Sequence, residues 1–67
     1  MLNPDSPVPL YHQLAEVLLD KIRAGDYPAG SRIPSEHQLA ATYGIGRPTA
    51  RQAVDQVESE IKRLMGQ

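Results

Sequence analysis

The sequence contains no cysteine, and this absence excludes whole classes of small protein. Without thiols the chain has neither a disulfide framework nor a thiolate metal site. The two histidines, His12 and His37, are separated in the chain and cannot make a metal site alone. A chain of 67 residues buries only about 60% of the surface that its unfolded form exposes, so its own core is marginal. We therefore expect one domain at most, no metal, and a partner subunit.

Long apolar runs are also lacking. The longest is far short of the roughly 20 residues needed to span a bilayer. The first ten residues, MLNPDSPVPL, carry three prolines and no basic segment followed by an apolar stretch, so they do not resemble a secretory signal. These two features predict a soluble, cytoplasmic protein.

A basic excess is missing as well, since the net charge is −1. This argues slightly against a nucleic-acid partner, because such domains often carry a clear positive balance. Screening limits exposed charges to a reach of about 8 Å at physiological salt, so their placement matters more than their sum. No acidic residue lies between Glu36 and Asp55, and this stretch contains Arg47 and Arg51.

Apolar residues recur every three or four positions in the first part of the chain, which predicts an amphipathic helix from residue 8 or 9. They are Leu10, Leu14, Val17, Leu18 and Ile22. Gly25 supplies a stop for this helix. The preceding residues 1–7 read as a proline-punctuated, flexible arm, and residues 26–32 read as a loop with Tyr27 and Ile33 as anchors.

The middle of the chain carries the signals of two helices joined by a short turn. Ser35 stands where a helix cap is expected, with Gln38 three residues later as in a capping box. Gly44 suits a left-handed helix end, and Pro48 fits only the first turn of a following helix. The third helix is therefore predicted to start near Gly46 or Arg47, which gives a helix-turn-helix.

The third helix is predicted to continue nearly to the C-terminus. Its later apolar positions follow the spacing of a short helix-pairing seam. They are Val54, Val57, Ile61 and Leu64. Val54 and Val57 are expected to pack within the domain, whereas Ile61 and Leu64 would pass beyond a three-helix core and need cover. The spacing leaves packing on the chain's own domain and self-association through this helix both open.

The start of the third helix has the chemistry of a DNA-reading helix. Arg47 and Arg51 lie four residues apart and share a face, with Thr49 and Gln52 beside it. An arginine fork matches the acceptors of guanine, and an amide can pair with adenine. Gly46, which has no Cβ, lets the backbone approach DNA closely. The alternative is an ordinary solvated face, but arginines in a first turn oppose the helix dipole and so call for a nearby anion.

Three segments together resemble the N-terminal DNA-binding domain of the GntR family of bacterial transcription regulators. They are PLYHQL (9–14), AGDYPAGSRIPSEHQLA (24–40) and YGIGRPTARQAV (43–54). The resemblance implies a winged helix-turn-helix that binds a palindromic operator as a dimer. It implies that Arg47, Thr49 and Arg51 contact DNA, that Ser35 and Glu36 belong to the family's PSE turn, and that Arg32 and Tyr11 lie toward the DNA side.

The chain departs from the family pattern at three places. His37 stands where arginine is common, so a phosphate contact there would be weaker and pH-dependent. Gly46 replaces a serine and is a poorer helix cap by a few tenths of a kcal/mol. The tail DQVESEIKRLMGQ continues neither into the two-stranded wing nor into an effector domain. Either the chain is truncated or its tail replaces the wing with a helix, so we expect no wing contact and no effector site.

The predicted fold is all-α: a three-helix helix-turn-helix module of the winged-helix type that lacks its wing, with its third helix extended toward the C-terminus. The predicted division is an arm at 1–7, a DNA-binding domain at 8–57, and a helical extension at 58–67 with a possible dimer contact. The predicted DNA-binding residues are Arg47, Thr49, Arg51, Gly46, Gln52, Ser35, His37, Arg32 and Tyr11.

The predicted function is a sequence-specific DNA-binding transcription regulator, or its DNA-binding part, that acts as a homodimer on double-stranded DNA. The alternative is a helical protein-interaction or dimerisation module derived from a helix-turn-helix. We expect no cofactor and no catalysis, because no nucleophile, base and orienting group assemble. His12, among the polar positions of the first helix, is expected to be simply exposed.

Overall fold

A computed structural model describes residues 2–26 and 34–65 of the chain, with side chains up to residue 63. It contains three α-helices: α1 (Leu10–Arg23), α2 (Glu36–Tyr43) and α3 (Arg47–Met65). No strand occurs in these described ranges, which confirms the all-α prediction and the extended third helix. The predicted loop from residue 27 onward, with Arg32 and the two anchors Tyr27 and Ile33, lies outside the described residues.

Helix α1 begins and ends at signals that are local in the sequence. The carbonyl of Pro9 accepts hydrogen bonds from the backbone N–H groups of His12 and Gln13, both at 3.1 Å. At the other end Gly25 adopts a positive φ of 86°, and the N–H of Asp26 donates to the carbonyl of Lys21 at 2.9 Å. This closing bond satisfies a carbonyl that the end of the helix would otherwise leave without a partner.

Helix α2 is bounded at both ends as its sequence predicts. The hydroxyl of Ser35 accepts from the N–H of Gln38, and the Gln38 side chain accepts from the N–H of Ser35, both at 3.2 Å. At the C-terminal end Gly44 takes up a left-handed conformation with φ 66° and ψ 37°. The N–H of Ile45 then donates to the carbonyl of Ala40 at 3.1 Å. The reciprocal cap and the glycine turn hold this eight-residue helix at a fixed length.

The first residues are tied to α1 through one side chain. The amide of Gln13 accepts from the N–H of Asn3 at 2.7 Å and donates to the carbonyls of Asn3 and Val8, both at 2.8 Å. Leu2 packs against the core at the same end of the molecule. Three hydrogen bonds from one glutamine therefore hold residues 3–8 in a turn against the start of α1.

The core forms where α3 packs against both α1 and α2. Its buried members are Leu14, Ala15, Leu18, Leu19, Leu39, Ala50, Ala53 and Val57. The largest fully buried side chains among them are Leu14, Leu18, Leu39 and Val57. The two alanines of α3 let its backbone come close to its neighbours, because the distance between packed helices depends on the side chains at the contact.

Partly buried apolar side chains surround this core. Those packed against it are Leu2, Tyr11, Ile22, Ala40, Tyr43, Ile45, Val54 and Ile61. Ile61 was predicted to pass beyond the core and need a cover, but it packs against the chain's own core. Leu64, the next position of the same stripe, has its side chain outside the described part of the chain. Among the described residues, no helix combines the length and apolar character that crossing a bilayer requires.

Candidate nucleic-acid interface

The turn between α2 and α3 places the N-terminal end of α3 at the surface. Ile45 packs against the core, while Gly44 and Gly46 on either side of it are exposed. The carbonyl of Gly46 accepts from the N–H of Ala50 at 3.1 Å, so Gly46 stands at the N-cap position of α3. A Cβ on Gly46 would meet only the Cδ of Pro48, at an ordinary 3.6 Å. The chain itself therefore leaves room for a side chain at Gly46.

The start of α3 presents its polar side chains away from the core. Arg47, Arg51 and Gln52 are exposed, and Thr49 is half-buried. Ala50 and Ala53 occupy the opposite, buried side of the same two turns. A helix repeats every 3.6 residues, so this buried pair fixes which side of α3 faces outward. The structure thus brings four predicted site residues onto one exposed end of the helix.

Arg47 forms an ion pair with Glu36 across two helices. Its Nη2 donates to the Oε1 of Glu36 at 3.3 Å. Each residue is the first of its helix, so the pair links the starts of two helices that pack against each other. The helix dipole favours Glu36 at that position and disfavours Arg47. The Glu36 carboxylate thus offsets part of the unfavourable interaction between Arg47 and the dipole of α3. An external anion is therefore not the only group that can stabilise Arg47 at this position.

Sequence spacing gives no signal for this pair. The two residues are eleven positions apart and belong to different helices, so neither a three-residue nor a four-residue helical rule connects them. Arg51 differs from Arg47, because it makes no ion pair with any residue that the structure describes. The two arginines therefore present unequal charge to a partner.

The remaining predicted residues lie at the start of α2 or on α1. Ser35 and His37 are exposed beside Glu36, although the Ser35 hydroxyl already accepts the capping bond from Gln38. Tyr11 is half-buried on α1 and packs against the core. A tyrosine in that position supports the fold with its ring, whatever its hydroxyl contacts. Arg32 lies outside the described residues.

Several other acidic side chains form ion pairs away from this surface. These pairs are Asp26 with Lys21, Asp20 with Arg23, and Glu60 with Arg63, and Glu16 also lies 3.9 Å from the Nε2 of His12. They lie on or next to α1 and on the last turns of α3. Each exposed pair of this kind contributes about 0 to 1 kcal/mol to stability, so these pairs do not determine the fold.

Known bacterial proteins with similar sequences are named as transcriptional repressors or transcriptional regulators. The chain is 37% identical over 67 residues to the HTH-type transcriptional repressor NagR of Bacillus subtilis, covering 97% of this chain and 28% of that protein. It is 32% identical over 62 residues to the histidine utilization repressor of Pseudomonas aeruginosa, with 90% and 25% covered. It is 39% identical over 54 residues to the mannosyl-D-glycerate transport/metabolism system repressor MngR of Escherichia coli, with 79% and 22% covered. The chain thus spans about a quarter of the length of these relatives.

A family match covers most of the chain. Residues 10–62 match the family described as "Bacterial regulatory proteins, gntR family". The matched range takes in all of α1 and α2 and most of α3. Together with the three relatives above, it confirms the predicted resemblance. The chain belongs to the GntR family of bacterial regulatory proteins.

Proposed function

We propose that this chain is the DNA-binding part of a bacterial transcription regulator, which reads a palindromic operator in the major groove as a dimer. The observation that carries the proposal is the exposed start of α3, where Arg51 and Gln52 point outward over the buried Ala50 and Ala53. The family match and the named repressors support it. Because DNA is the partner, the protein acts in the bacterial cytoplasm.

In this proposal α3 enters the major groove with its N-terminal end foremost. Arginine donates two hydrogen bonds to guanine and glutamine pairs with adenine, so Arg51 and Gln52 read base edges. Ser35 and His37, at the start of α2, lie against the phosphate backbone. The partial positive charge at the N-terminal end of a helix favours phosphates beside Ser35 and His37, while the Glu36 carboxylate between them is paired with Arg47.

Dimerisation follows from the small number of bases that one helix can read. A good bidentate contact provides about 1 to 3 kcal/mol of discrimination, whereas specific binding exceeds non-specific binding by about 4 to 10 kcal/mol. Contacts from Arg47, Arg51 and Gln52 in a single helix start provide about 3 to 9 kcal/mol, and reach the upper part of that range only if all three are ideal. Two copies related by a two-fold axis double the contacts and require a palindromic site.

The test begins with selection of bound duplexes from a random pool by the full chain, which reports binding and half-site spacing. Arg51→Ala should then weaken binding to the selected duplex by about 1 to 3 kcal/mol and relax the preference at one base pair. Arg63→Ala is the matched control, because it removes the same charge from the last turns of α3, where Arg63 pairs with Glu60 at 2.7 Å. Equal effects of the two substitutions, or unchanged specificity in Arg51→Ala, would contradict the proposal.

The alternative of a helical protein-interaction module rests on the spacing of Val57, Ile61 and Leu64 in the sequence. Val57 is buried in the core and Ile61 packs against it, so two of these three side chains are already covered within the chain. Sedimentation separates the two functions. A protein that stays monomeric at high concentration and binds no duplex at low salt would favour the alternative.

A further inference from the structure

We propose that Glu36 is a specificity-determining residue that acts through Arg47. It holds the arginine for base reading and opposes binding to DNA of unrelated sequence. This inference rests on the proposed DNA-binding function and deepens it. Its basis is the contact between Nη2 of Arg47 and Oε1 of Glu36, at 3.3 Å across the turn.

The two partners differ in how firmly they are held. The Glu36 side chain is 35% exposed and that of Arg47 is 64% exposed. Glu36 follows the reciprocal cap formed by Ser35 and Gln38, which fixes the start of α2. Arg47 ends in a long side chain with considerable rotamer freedom, which an interaction partner restricts. Glu36 is therefore the fixed partner, and Arg47 is the side chain that it positions.

The pair leaves Arg47 free to contact a base. A guanidinium carries five N–H donors, and one contact to Glu36 uses only one of them. The remaining donors still include a fork that matches the O6 and N7 acceptors of guanine. Base reading therefore does not require the ion pair to break, and less conformational freedom is lost on binding when the side chain is already held.

The carboxylate also changes what Arg47 contributes to non-specific binding. Attraction of basic side chains to phosphates supplies essentially all of that binding. A carboxylate 3.3 Å from the guanidinium offsets much of the local positive charge and repels phosphates. Arg51 has no such counter-charge among the described residues. Arg51 thus attracts any duplex, whereas Arg47, paired with Glu36, strengthens binding only to a duplex that presents the correct base edge.

Two substitutions separate the contact from the charge. Glu36→Asp keeps the negative charge and the acid favoured at the start of α2, but its side chain is one methylene shorter and withdraws from Arg47. Glu36→Gln keeps the length and removes the charge. Glu58→Gln is the matched control, because Glu58 is an exposed acid further along α3. Circular dichroism of each variant verifies that the helices are retained.

The measurement is fluorescence anisotropy of each variant with the selected duplex and with a scrambled duplex of the same length and composition. Exposed ion pairs change equilibria by a factor of about 1.5 to 5. Glu36→Asp should lower affinity for the selected duplex by such a factor and leave the scrambled duplex unchanged. Glu36→Gln should raise affinity for the scrambled duplex and lower the ratio of the two affinities. Glu58→Gln should leave that ratio unchanged.

A double-substitution cycle identifies the route. In an Arg47→Ala background, Glu36→Asp should have no further effect on the ratio, because the residue through which it acts is gone. An unchanged ratio of the two affinities in Glu36→Asp would overturn the proposal. Tighter binding of the selected duplex by Glu36→Asp would overturn it too, because Glu36 would then compete with DNA for Arg47. Failure to select any duplex, or binding that does not depend on Arg51, would instead reject the proposed function itself.

Discussion

The reciprocal cap at the start of α2 allows fold and DNA contact to be separated at a single position, Ser35. Its hydroxyl accepts a hydrogen bond from the N–H of Gln38, while the Gln38 side chain accepts from the N–H of Ser35, both at 3.2 Å. Ser35→Ala removes the first of these bonds and leaves the second geometrically possible. Ser35→Asp replaces the hydroxyl oxygen by a carboxylate oxygen, which caps a helix as well as serine does.

The expected loss of stability follows from the exposure of the site. Replacing a capping serine by alanine costs about 0.5 to 2 kcal/mol. Ser35 is exposed, so water can accept a hydrogen bond from the N–H of Gln38 once the hydroxyl is gone. We therefore expect a loss of about 1 kcal/mol of stability. In a domain of 60 to 100 residues that amount lowers Tm by about 4 to 8 °C. Ser35→Asp should keep the Tm of the original chain to within a degree or two, since its charge also suits the start of a helix.

DNA binding should rank the same variants differently. Ser35→Asp adds a carboxylate where the proposal places phosphates, so its affinity for the selected duplex should fall by about tenfold although its stability is kept. Ser35→Ala, measured below its Tm, should bind within about threefold of the original chain. The assays are thermal unfolding followed by circular dichroism and anisotropy titration at a fixed salt concentration.

Ser59→Ala is the control for the loss of a hydroxyl, because Ser59 is exposed in the middle of α3 and caps nothing. Alanine is the better helix former there, so Tm should stay the same or rise slightly. Equal Tm values for Ser35→Ala and Ser59→Ala would refute the capping argument. Undiminished DNA binding by a stable Ser35→Asp would refute the placement of phosphates at α2.

Two further substitutions test the core and the turn. Leu39→Ala should lower the free energy of unfolding by about 2 to 5 kcal/mol because the side chain is fully buried. Circular dichroism at 25 °C should then show most of the chain unfolded, whereas the control Val8→Ala, at a residue 40% exposed, should change little. A folded Leu39→Ala would contradict this account of the core. Gly44→Ala should lower the free energy of unfolding by about 1 to 2 kcal/mol. The cause is the φ of 66° alone, since nothing lies within 4 Å of the added Cβ. Gly46→Ala, whose added Cβ makes an ordinary contact, should lower Tm less, and equal effects would show that backbone conformation is not the cause.

The helix boundaries could be predicted because the interactions that set them are short in sequence. Ser35 and Gln38 are three residues apart, and Gly44 ends α2 through bonds to Ala40. Each depends only on residues within one turn, so the residue pattern contains all of the relevant contacts. The start of α1 was predicted at residue 8 or 9 and lies at Leu10, because Pro9 serves as its first acceptor.

The packing of α3 could be predicted only in part. Val57 was assigned to the core correctly, but the burial of Ala50 and Ala53 was not anticipated, since alanine carries little hydrophobic signal at any spacing. Ile61 was expected to need an external cover and packs on the core. The length of α3 that the core covers depends on where α1 packs along α3. The local residue pattern of α3 does not determine that packing position. A dimer contact through α3 stays a prediction, and Ile61 contributes to the chain's own core as well.

Charge placement shows the same limit at the candidate interface. The stretch between Glu36 and Asp55 contains no acid, which suggested arginines free of any counter-charge. The fold brings the acid at the border of that stretch to Arg47, because α3 starts at the turn that ends α2 and packs back against α2. Nη2 of Arg47 then lies 3.3 Å from Oε1 of Glu36. Local charge in the sequence is therefore different from local charge in space. Under the proposed function, non-specific attraction at this surface rests on Arg51, while Arg47 contributes mainly to contacts with a particular base.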